Sequence, residues 1–518
     1  MTGARALVTA AAGSTVADLV DARARMHPAR VALRAGSVRR TYGELVDRTR
    51  RLATVLADAG VRRGDRVALL AENRLEYLEV VLAALRLGAA VATQGTRASA
   101  AELTGCLDLV APRLTLCSPR QREAHADVLA DRPETVWELG EDLDRAVDRA
   151  VPRPGGADAE PEDVAVIIYT SGTTGAPKGA CVSHRAEIAR AMATRAELGV
   201  SGEGTFVAWS PLHHMGALDN SLSTLVSGGT VVVVDGFAVD ELVDLVETEP
   251  LGWLLVMPGT VGRLVAALRE RGARPAGVRL CGVMPDLVRP AEIAELTTLL
   301  GAPYANTFGA TETGCPPCSA DTVPIGVEPT ALPKRQSAFC EVRLVDPEGR
   351  DVPDGTPGEL CMRGPTLFSG YWDDEAATAA DFRDGWFHLG DVLVRHADGT
   401  LSFVDRVKYM IKSGGENVYP AEIERTLLRL PGVLEAGVVR RPDPQWGEVP
   451  VAFVVHERDD ASAEDLLAAC RDRLPHHKAP REIRFLASSA MPRNTSGKVV
   501  RRELERLLTA PADERTVR

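Results

Sequence analysis

The chain of 518 residues has no excess of positive charge and no long apolar segment. Its formal net charge of −12 at pH 7 argues against non-specific binding to nucleic acid or to an anionic membrane surface. No apolar run approaches the roughly 20 residues of a membrane span. The first residues, MTGARALVTAAAG, are too weakly apolar for a signal peptide. The sequence therefore predicts a protein with no nucleic-acid partner and no membrane partner.

The nine cysteines show no disulfide-like spacing, which predicts a reducing, cytoplasmic environment. Cys315 and Cys318 form a C-x-x-C motif, a pattern that occurs in redox and zinc sites. Because the sequence has no second pair at zinc spacing and no His cluster nearby, we expect the two cysteines to line a loop and not to form a metal or redox centre.

The length and the order of the patterns predict more than one domain, since 518 residues are too many for a single core. Over residues 14–110, helix-like segments alternate with short buried strands, as in parallel sheets covered by helices. Residues 340–404 carry short strands between Pro-Glu-Gly, Pro-Asp-Gly and Ala-Asp-Gly turns, which is typical of an antiparallel, barrel-like portion. Mixed α and β elements follow Asp405.

These patterns predict an α/β protein with two domains. The large N-terminal domain, residues 1–404, would combine helix-covered β-sheets with the barrel-like portion. A small α+β C-terminal domain would span residues 405–518. The acidic, Pro-bearing residues 118–161 are expected to form an excursion between strands.

The stretch from Tyr169 to Gly179, YTSGTTGAPKG, has the composition of a phosphate-binding loop, and it follows the apolar run 164–168. Glycines let the backbone approach an anion, hydroxyl groups add donors, and Lys178 adds positive charge. The motif is not the common P-loop, because Lys178 is followed by Gly179 and not by Ser or Thr. The alternative is a flexible surface turn. The candidate phosphate ligands are Thr170, Ser171, Gly172, Thr173, Thr174, Gly175 and Lys178.

Four further stretches narrow the function beyond a nucleotide site. They are NTFGATE at 306–312, GWFHLGD at 385–391, DRVK at 405–408 continuing to Pro420, and PRNTSGK at 492–498. Together with the phosphate loop, their order and spacing resemble the adenylate-forming superfamily of acyl-CoA synthetases, adenylation domains and firefly luciferase, over about residues 15–508.

The resemblance implies a reaction in two steps. A carboxylate and ATP give an acyl-adenylate and pyrophosphate, and a nucleophile, most often the thiol of coenzyme A, then displaces AMP. The implied cofactors are ATP, Mg²⁺ and coenzyme A. Because carboxylate attack on a phosphate brings like charges together, such a site must supply cations and hydrogen-bond donors.

Around residue 310 the resemblance assigns side chains to ATP and its metal ion. Thr311 would contact the α-phosphate, and Glu312 would bind Mg²⁺ and act in catalysis. Phe308, with Gly309 beside it, stands where the family has an aromatic residue that stacks on adenine.

The remaining motifs are assigned to the ribose and to the small, mobile domain. Asp391 matches the carboxylate that binds the ribose hydroxyls, and Arg406 matches the arginine that assists it. Lys498 resembles the lysine that reaches the carboxylate and the α-phosphate during adenylation. Lys408 falls on the hinge position about which the small domain turns.

Residues 413–415 resemble the loop that lines the pantetheine channel. On that basis we assign Gly415 to coenzyme A and Lys412 to the adenylate. These assignments follow from the resemblance alone.

The acid is predicted to lie beside His214, at the family position that gates access to the acyl carboxylate; a buried structural His is the alternative. Asp219 would border the acyl pocket on a helix over about 216–227. Met215 stands where amino-acid-activating domains carry an Asp, which argues against an α-amino acid. The core face of this helix would carry Leu218, Leu222 and Leu225.

Two departures from the family pattern bear on the acid. Gly282 and Met284 lie in CGVMP, where a Gly/Ala-rich segment is usual, so larger side chains would line the pocket. Lys334, in LPKRQS, falls in a stretch that normally holds glycines, and its charge would face either the substrate or solvent. We expect the substrate to be an aryl or short, functionalised carboxylic acid.

The predicted protein is an AMP-forming acyl-CoA ligase, a monomer or homodimer. A close alternative is a stand-alone adenylating enzyme that passes the acyl group to the phosphopantetheine of an acyl carrier protein or to an amine. Two others are a luciferase-type oxidoreductase and a catalytically silent binding protein. The presence of Glu312, Asp391 and Lys498 argues against the silent protein.

Overall fold

The structure is a computed structural model that describes residues 13–154, 158–171, 177–200, 204–458, 460–493 and 499–509. The α-helices are α1 (Val16–Met26), α2 (Tyr42–Asp58), α3 (Leu75–Arg86), α4 (Ala100–Val110), α5 (Pro119–Ala124), α6 (Ala126–Ala130), α7 (Glu141–Arg149), α8 (His184–Leu198), α9 (Met215–Ser227), α10 (Val239–Thr248), α11 (Val261–Arg271), α12 (Pro290–Leu300), α13 (Glu375–Asp381), α14 (Pro420–Leu428), α15 (Ala463–Arg471) and α16 (Arg501–Thr509).

The strands are β1 (Val31–Ala35), β2 (Val38–Thr41), β3 (Arg66–Leu70), β4 (Ala90–Thr93), β5 (Leu114–Cys117), β6 (Thr135–Glu138), β7 (Val164–Ser171), β8 (Pro177–Ser183), β9 (Thr205–Ala208), β10 (Thr230–Val233), β11 (Leu251–Trp253), β12 (Tyr304–Ala305), β13 (Gly309–Ala310), β14 (Gly314–Pro317), β15 (Thr322–Val323), β16 (Glu341–Val345), β17 (Pro357–Arg363), β18 (Phe382–Arg383), β19 (Trp386–Arg395), β20 (Leu401–Arg406), β21 (Ile411–Ser413), β22 (Glu416–Val418), β23 (Val433–Asp443), β24 (Gly447–His456) and β25 (Glu482–Phe485).

The chain divides into two compact units. The first unit comprises Met1–Glu341 and Arg363–Gly385, and the second comprises Val342–Met362 and Trp386–Arg518. The chain therefore passes between the units three times. The boundary expected between residues 404 and 405 stays a prediction.

A six-stranded sheet of the first unit has the strand order β6-β5-β3-β4-β7-β8. Its strands are parallel except for β8, which pairs antiparallel with β7. Val67 to Leu70 of β3 are fully buried, as expected for a parallel strand covered on both faces. The helix-covered parallel sheet predicted from the sequence is confirmed.

The stretch 118–161 is only partly an excursion, because β6 within it forms an edge of this sheet. Its residues are half-buried or exposed, so its sequence lacks the apolar run that marks the inner strands. The expectation that the whole stretch 118–161 forms an excursion was therefore wrong, because it contains a strand of the sheet.

A second sheet of the first unit has the order β11-β9-β10-β1-β2 and is parallel apart from β2. Helix α9 lies directly after β9, and its residues Leu218, Leu222 and Leu225 are buried. The predicted core face of this helix is confirmed, and the observed helix begins one residue earlier than expected.

In the second unit, β17, β19 and β20 pair antiparallel, as expected from the turn residues of 340–404. A smaller sheet follows, with the order β22-β21-β24-β23 and with β25 parallel to β24. Helices α14 and α15 supply Ile423, Leu427 and Leu466 to a core beneath this sheet. The α+β character expected after residue 405 is present.

A search of the described residues finds no helix that is both long enough and apolar enough to cross a membrane.

A buried ion pair joins the first helices of the first unit. Asp21 of α1 accepts hydrogen bonds from Arg86 of α3 and, at 2.7 Å, from Arg50 of α2. Asp21 and Arg86 are 3% and 4% exposed. Burial opposes ionisation of Asp21, but the two arginines outweigh it and lower the pKa of this carboxyl.

We expect Asp21→Asn to lower the free energy of unfolding by about 3–5 kcal/mol at pH 7, because it leaves the buried Arg86 uncompensated. Since the folded pKa is lowered, the stabilisation is complete above about pH 5 and is lost as the pH falls from about 4 through the folded pKa. Denaturant unfolding of both proteins at pH 7 and at pH 3 measures the difference. Asp47→Asn, which removes an exposed pair with Arg51, is the control and should cost less than about 1 kcal/mol; equal losses in the two variants would contradict the account.

Candidate active site

The strand before the predicted phosphate loop and the strand after it form a hairpin. Strands β7 and β8 pair antiparallel, with Thr170 directly opposite Lys178. The loop positions Gly172, Thr173, Thr174 and Gly175 and the side chain of Ser171 lie outside the described residues. The hairpin therefore fixes Thr170 and Lys178 as neighbours where the loop begins and ends.

The segment 368–372 runs beside β8 and pairs with it through an isolated antiparallel bridge between Ala180 and Tyr371. The Ser369 N–H donates to the Cys181 carbonyl at 2.7 Å, and the Trp372 N–H donates to the Gly179 carbonyl at 2.7 Å. Gly179 leaves space for this segment, because a Cβ there would lie 2.8 Å from Ile167 Cγ2 and 3.4 Å from Trp372 Cβ. The pairing places the Tyr371 ring beside β8.

Tyr371 contacts the candidate phosphate lysine. Lys178 Nζ lies 4.6 Å from the centroid of the Tyr371 ring, within cation–π distance. The ring thus holds the ammonium group near β8 without neutralising its charge.

A tight turn between β13 and β14 presents Thr311 and Glu312. It is closed by the Thr313 N–H, which donates to the Ala310 carbonyl at 3.0 Å. Gly309 is required here, because a Cβ would lie 2.0 Å from the Gly314 carbonyl oxygen. Just before the turn, the half-buried Phe308 is fixed by its N–H, which donates to Ser319 Oγ at 2.9 Å.

Glu312 is held by the same segment that contacts Lys178. The Tyr371 hydroxyl lies 3.2 Å from Glu312 Oε1 and 3.0 Å from Asp381 Oδ2. The Phe368 N–H donates to the Glu312 carbonyl oxygen at 2.9 Å. Burial and the two carboxylates raise the pKa of Tyr371, so its hydroxyl keeps the proton that it donates.

The sequence prediction did not include Tyr371 or Asp381. The available signal was an aromatic pair, Tyr371 and Trp372, directly after Gly370. Without the pairing to β8, that signal indicates only a turn followed by apolar side chains.

His214 occupies the N-cap position of α9 without a capping bond from its side chain, and Met215 is the first residue of that helix. The rings of His213 and His214 lie 4.3 Å apart between centroids. Burial, with the neighbouring His214, lowers the pKa of His213 to about 3, so His213 is neutral at physiological pH. His213 packs inside the protein, and His214 is half-buried.

Asp219, on the same helix, pairs with a residue that the sequence prediction did not include. Its Oδ2 accepts a hydrogen bond from Arg190 of α8 at 3.1 Å. The predicted contact of Asp219 with the substrate stays a prediction.

Gly282 and Met284 both have left-handed backbones, with φ of +70° and +48°. A Cβ at Gly282 would lie within 2.1–2.4 Å of the Tyr304 ring, so no side chain fits there. Met284 donates its N–H to Thr307 Oγ1 at 2.9 Å and is half-buried. The segment therefore packs directly against the strand that leads to Phe308.

Lys334 is fully buried and does not face solvent. Its Nζ lies 2.5 Å from Asp286 Oδ2 and also donates to Asn306 Oδ1. Burial lowers the pKa of Lys334, although Asp286 opposes this effect. The solvent-facing alternative for Lys334 is therefore wrong, because the amide and carboxylate groups of two other segments enclose it. Its contact with the substrate stays a prediction.

In the second unit, Asp391 of β19 and Arg406 of β20 are cross-strand partners. Arg406 Nε donates to Asp391 Oδ1 at 2.9 Å, with Asp391 4% exposed. The neighbouring Asp405 accepts the N–H groups of Arg406 at 2.7 Å and of Ala421 at 2.6 Å. These bonds fix the end of β20 to the start of α14.

The residues after β20 form a short turn and a hairpin. Lys408 Nζ lies 5.0 Å from the centroid of the Tyr409 ring. Gly414 and Gly415 join β21 to β22 with φ of +59° and +89°, which is the backbone of a two-residue type I′ turn. Lys412 of β21 is exposed, and Lys498 lies outside the described residues.

Comparison with known proteins identifies related sequences over most of the chain. The model of the AMP-binding enzyme family matches residues 20–372, and the model of the AMP-binding enzyme C-terminal domain matches residues 422–498. A feruloyl-CoA synthase of Amycolatopsis sp. is 37% identical over 93% of this chain and 97% of its own length. An indoleacetate–CoA ligase of Aromatoleum aromaticum is 33% identical over 95% of this chain and 98% of its own length.

A solved structure has the same fold. The amide bond synthetase McbA from Marinactinospora thermotolerans superposes with a TM-score of 0.84 and 26% identity, covering 95% of this chain and 99% of that one. The two family matches and the relatives above 30% identity agree with this likeness. The chain belongs to the AMP-binding enzyme family.

Proposed function

We propose that this chain is an ATP-dependent ligase that activates a carboxylic acid as an acyl-adenylate and transfers the acyl group to coenzyme A. The observation that carries the proposal is the contact of one residue, Tyr371, with both Lys178 and Glu312. A cation, a carboxylate and the start of a glycine-rich loop thereby meet at one place, as a triphosphate with its metal ion requires. The similar feruloyl-CoA synthase and indoleacetate–CoA ligase support the reaction class.

The first unit supplies groups suited to the triphosphate. Lys178 would offset phosphate charge, and the Thr311 hydroxyl would donate to the α-phosphate on which the carboxylate acts. Phe308 would stack on adenine. Each of these groups is placed by backbone hydrogen bonds of the hairpin or of the turn.

The groups around Glu312 fit Mg²⁺. A carboxylate oxygen is a hard ligand, and its orientation is set by the Tyr371 hydroxyl. The described residues contain no cluster of three or more His, Cys, Asp or Glu side chains able to hold a metal ion. A Mg²⁺ ion that is held by one or two carboxylates together with substrate phosphates does not need such a cluster. Bound there, Mg²⁺ would neutralise charge that develops on the phosphates.

Residues of the second unit are proposed to act on the ribose and the thiol. Asp391 would accept hydrogen bonds from the ribose hydroxyls while Arg406 holds its other oxygen in place. Gly415 would line the pantetheine path, with Lys412 near the adenylate. We propose Lys498 as the lysine that stabilises the adenylation transition state, and Lys408 as the hinge.

The proposed acid is aromatic. The two relatives described above are named for feruloyl and indoleacetate groups. Met215 offers an apolar side chain where an α-amine would need a carboxylate, and His214 lies at the entry to the same helix. An acyl transfer to a carrier protein or to an amine is the alternative, which the likeness to an amide bond synthetase favours.

Substrate screening tests the reaction class. Pyrophosphate exchange measured with benzoates, cinnamates and fatty acids should be fastest with an aromatic acid. With that acid, formation of AMP should require coenzyme A and yield an acyl-CoA. Equal AMP formation without coenzyme A, together with amide formation when an amine is added, would favour the alternative.

Lys498→Ala should reduce carboxylate-dependent pyrophosphate exchange by about 100-fold or more, because the proposed cationic donor to the transition state is lost. Arg502→Ala removes an exposed cation in the helix that follows and should leave the exchange rate unchanged. Undiminished exchange in the Lys498 variant would refute the assignment.

Tyr371→Phe should raise the Mg²⁺ concentration for half-maximal exchange at least about 10-fold, because a hydrogen bond to a charged group contributes about 1.5–3 kcal/mol. Exchange rates measured over a series of Mg²⁺ concentrations at saturating ATP give this value. Tyr77→Phe is a matched control, since the buried Tyr77 hydroxyl has no hydrogen-bond partner among the described residues. An unchanged Mg²⁺ dependence in the Tyr371 variant would show that its hydroxyl does not orient Glu312.

A further inference from the structure

Three ionisable side chains form a largely buried cluster between α8 and α9. Glu187 and Arg190 lie one turn apart on α8, and Asp219 lies on α9. Glu187 and Arg190 are 3% and 2% exposed, although charged residues are rarely buried so deeply without a specific partner. The cluster therefore requires an explanation beyond surface solvation.

Arg190 connects three segments that are distant in sequence. Its Nη2 donates to the Thr311 carbonyl at 2.9 Å, and its Nε donates to the Thr366 carbonyl at 3.0 Å. Its Nη1 donates to Asp219 Oδ2 at 3.1 Å. A planar guanidinium can make these three bonds together because its N–H groups lie on three nitrogen atoms. A lysine ammonium donates all of its N–H groups from one nitrogen atom.

The Arg190 side chain packs closely against Gly314. A Cβ at Gly314 would lie 2.8 Å from Arg190 Cγ, so the absence of a side chain at Gly314 makes room for the arginine. Gly314 directly follows the turn that bears Thr311 and Glu312. The arginine thus passes beneath that turn and binds its backbone.

The charges of the cluster balance when Glu187 is neutral. Burial, together with the negative charge of Asp219, raises the pKa of Glu187 well above its ordinary value. Glu187 Oε1 and Asp219 Oδ1 both have no hydrogen-bond partner among the described residues, but Asp219 Oδ2 is paired with Arg190. Asp219 is therefore the counter-ion of Arg190, and Glu187 holds the proton.

We propose that Arg190 is a positioning residue for the adenylation step: it fixes the Thr311 carbonyl, and with it the turn that carries Thr311 and Glu312, against Thr366 and Asp219. The inference rests on the proposed function, because Thr311 and Glu312 are the groups proposed to act on the α-phosphate and on Mg²⁺. Asp219 then serves to compensate Arg190.

Arg190→Met should lower kcat of pyrophosphate exchange about 100-fold per active site, since a displacement of about 1 Å in a reacting group has an effect of that size. Arg190→Lys should also lose at least 10-fold, because it keeps the charge opposite Asp219 but not the two carbonyl bonds. KM for the acid should stay within about 3-fold in both variants. Active sites are counted from the stoichiometric burst of pyrophosphate, so that a smaller folded fraction does not enter kcat.

Glu187→Gln is the matched control, because it preserves the shape and the neutral state of this side chain. It should leave kcat per active site within about 3-fold. Asp219→Asn leaves Arg190 without its counter-ion and should lower kcat as Arg190→Met does.

The outcomes distinguish failure of the proposed function from failure of the inference about Arg190. If the wild-type protein shows no carboxylate-dependent exchange with any acid, the proposed function fails. If the wild-type protein is active and Arg190→Met keeps its kcat per active site while only its unfolding temperature falls, Arg190 is merely structural and the inference is overturned. A large rise of KM for the acid would place Arg190 in the acid site and would also overturn it.

Discussion

The contact of Tyr371 with both Lys178 and Glu312 is the constraint on which the candidate site of the first unit depends. These residues are far apart in sequence, and backbone pairing of 368–372 with β8 brings them together. The Phe368 N–H that binds Glu312 belongs to the same segment. The hairpin of β7 and β8 and the turn that carries Glu312 are therefore not positioned independently, because the short segment 368–372 contacts both of them.

A second constraint acts on the same turn from beneath. Arg190 binds the Thr311 carbonyl, while the Tyr371 hydroxyl binds the Glu312 side chain. The turn is thus held through its backbone on one side and through its carboxylate on the other. Glycines at 309 and 314 permit the close approach, since a Cβ at either position would overlap neighbouring atoms. Preorganisation of this kind spares the site from rearranging when phosphate charge develops.

The family, the fold class and the reaction class expected from the sequence are confirmed. Local patterns were sufficient for β7, for α9 and for the buried face with Leu218, because each depends on residues close together in the chain. The partners of Lys334 and Asp219 were not predictable in this way. Asp286 is 48 residues from Lys334, and Arg190 is 29 residues from Asp219, so no periodicity connects them. The edge strand β6 was missed because its two apolar residues, Val136 and Trp137, are too few to form the apolar run that marks the inner strands.

The buried pairs also bear on how an acid would be recognised. Lys334 and Arg190 are two cations that tertiary packing encloses near the predicted acid-binding segments, and each already has a carboxylate partner. A substrate carboxylate that displaced Asp286 or Asp219 would leave that side chain without its cation, and breaking such a pair opposes binding. An uncharged aromatic ring would meet no such cost, and it gains from burial of its apolar surface. The internal pairing of these two cations therefore agrees with the proposed aromatic acid, whose ring needs no counter-ion.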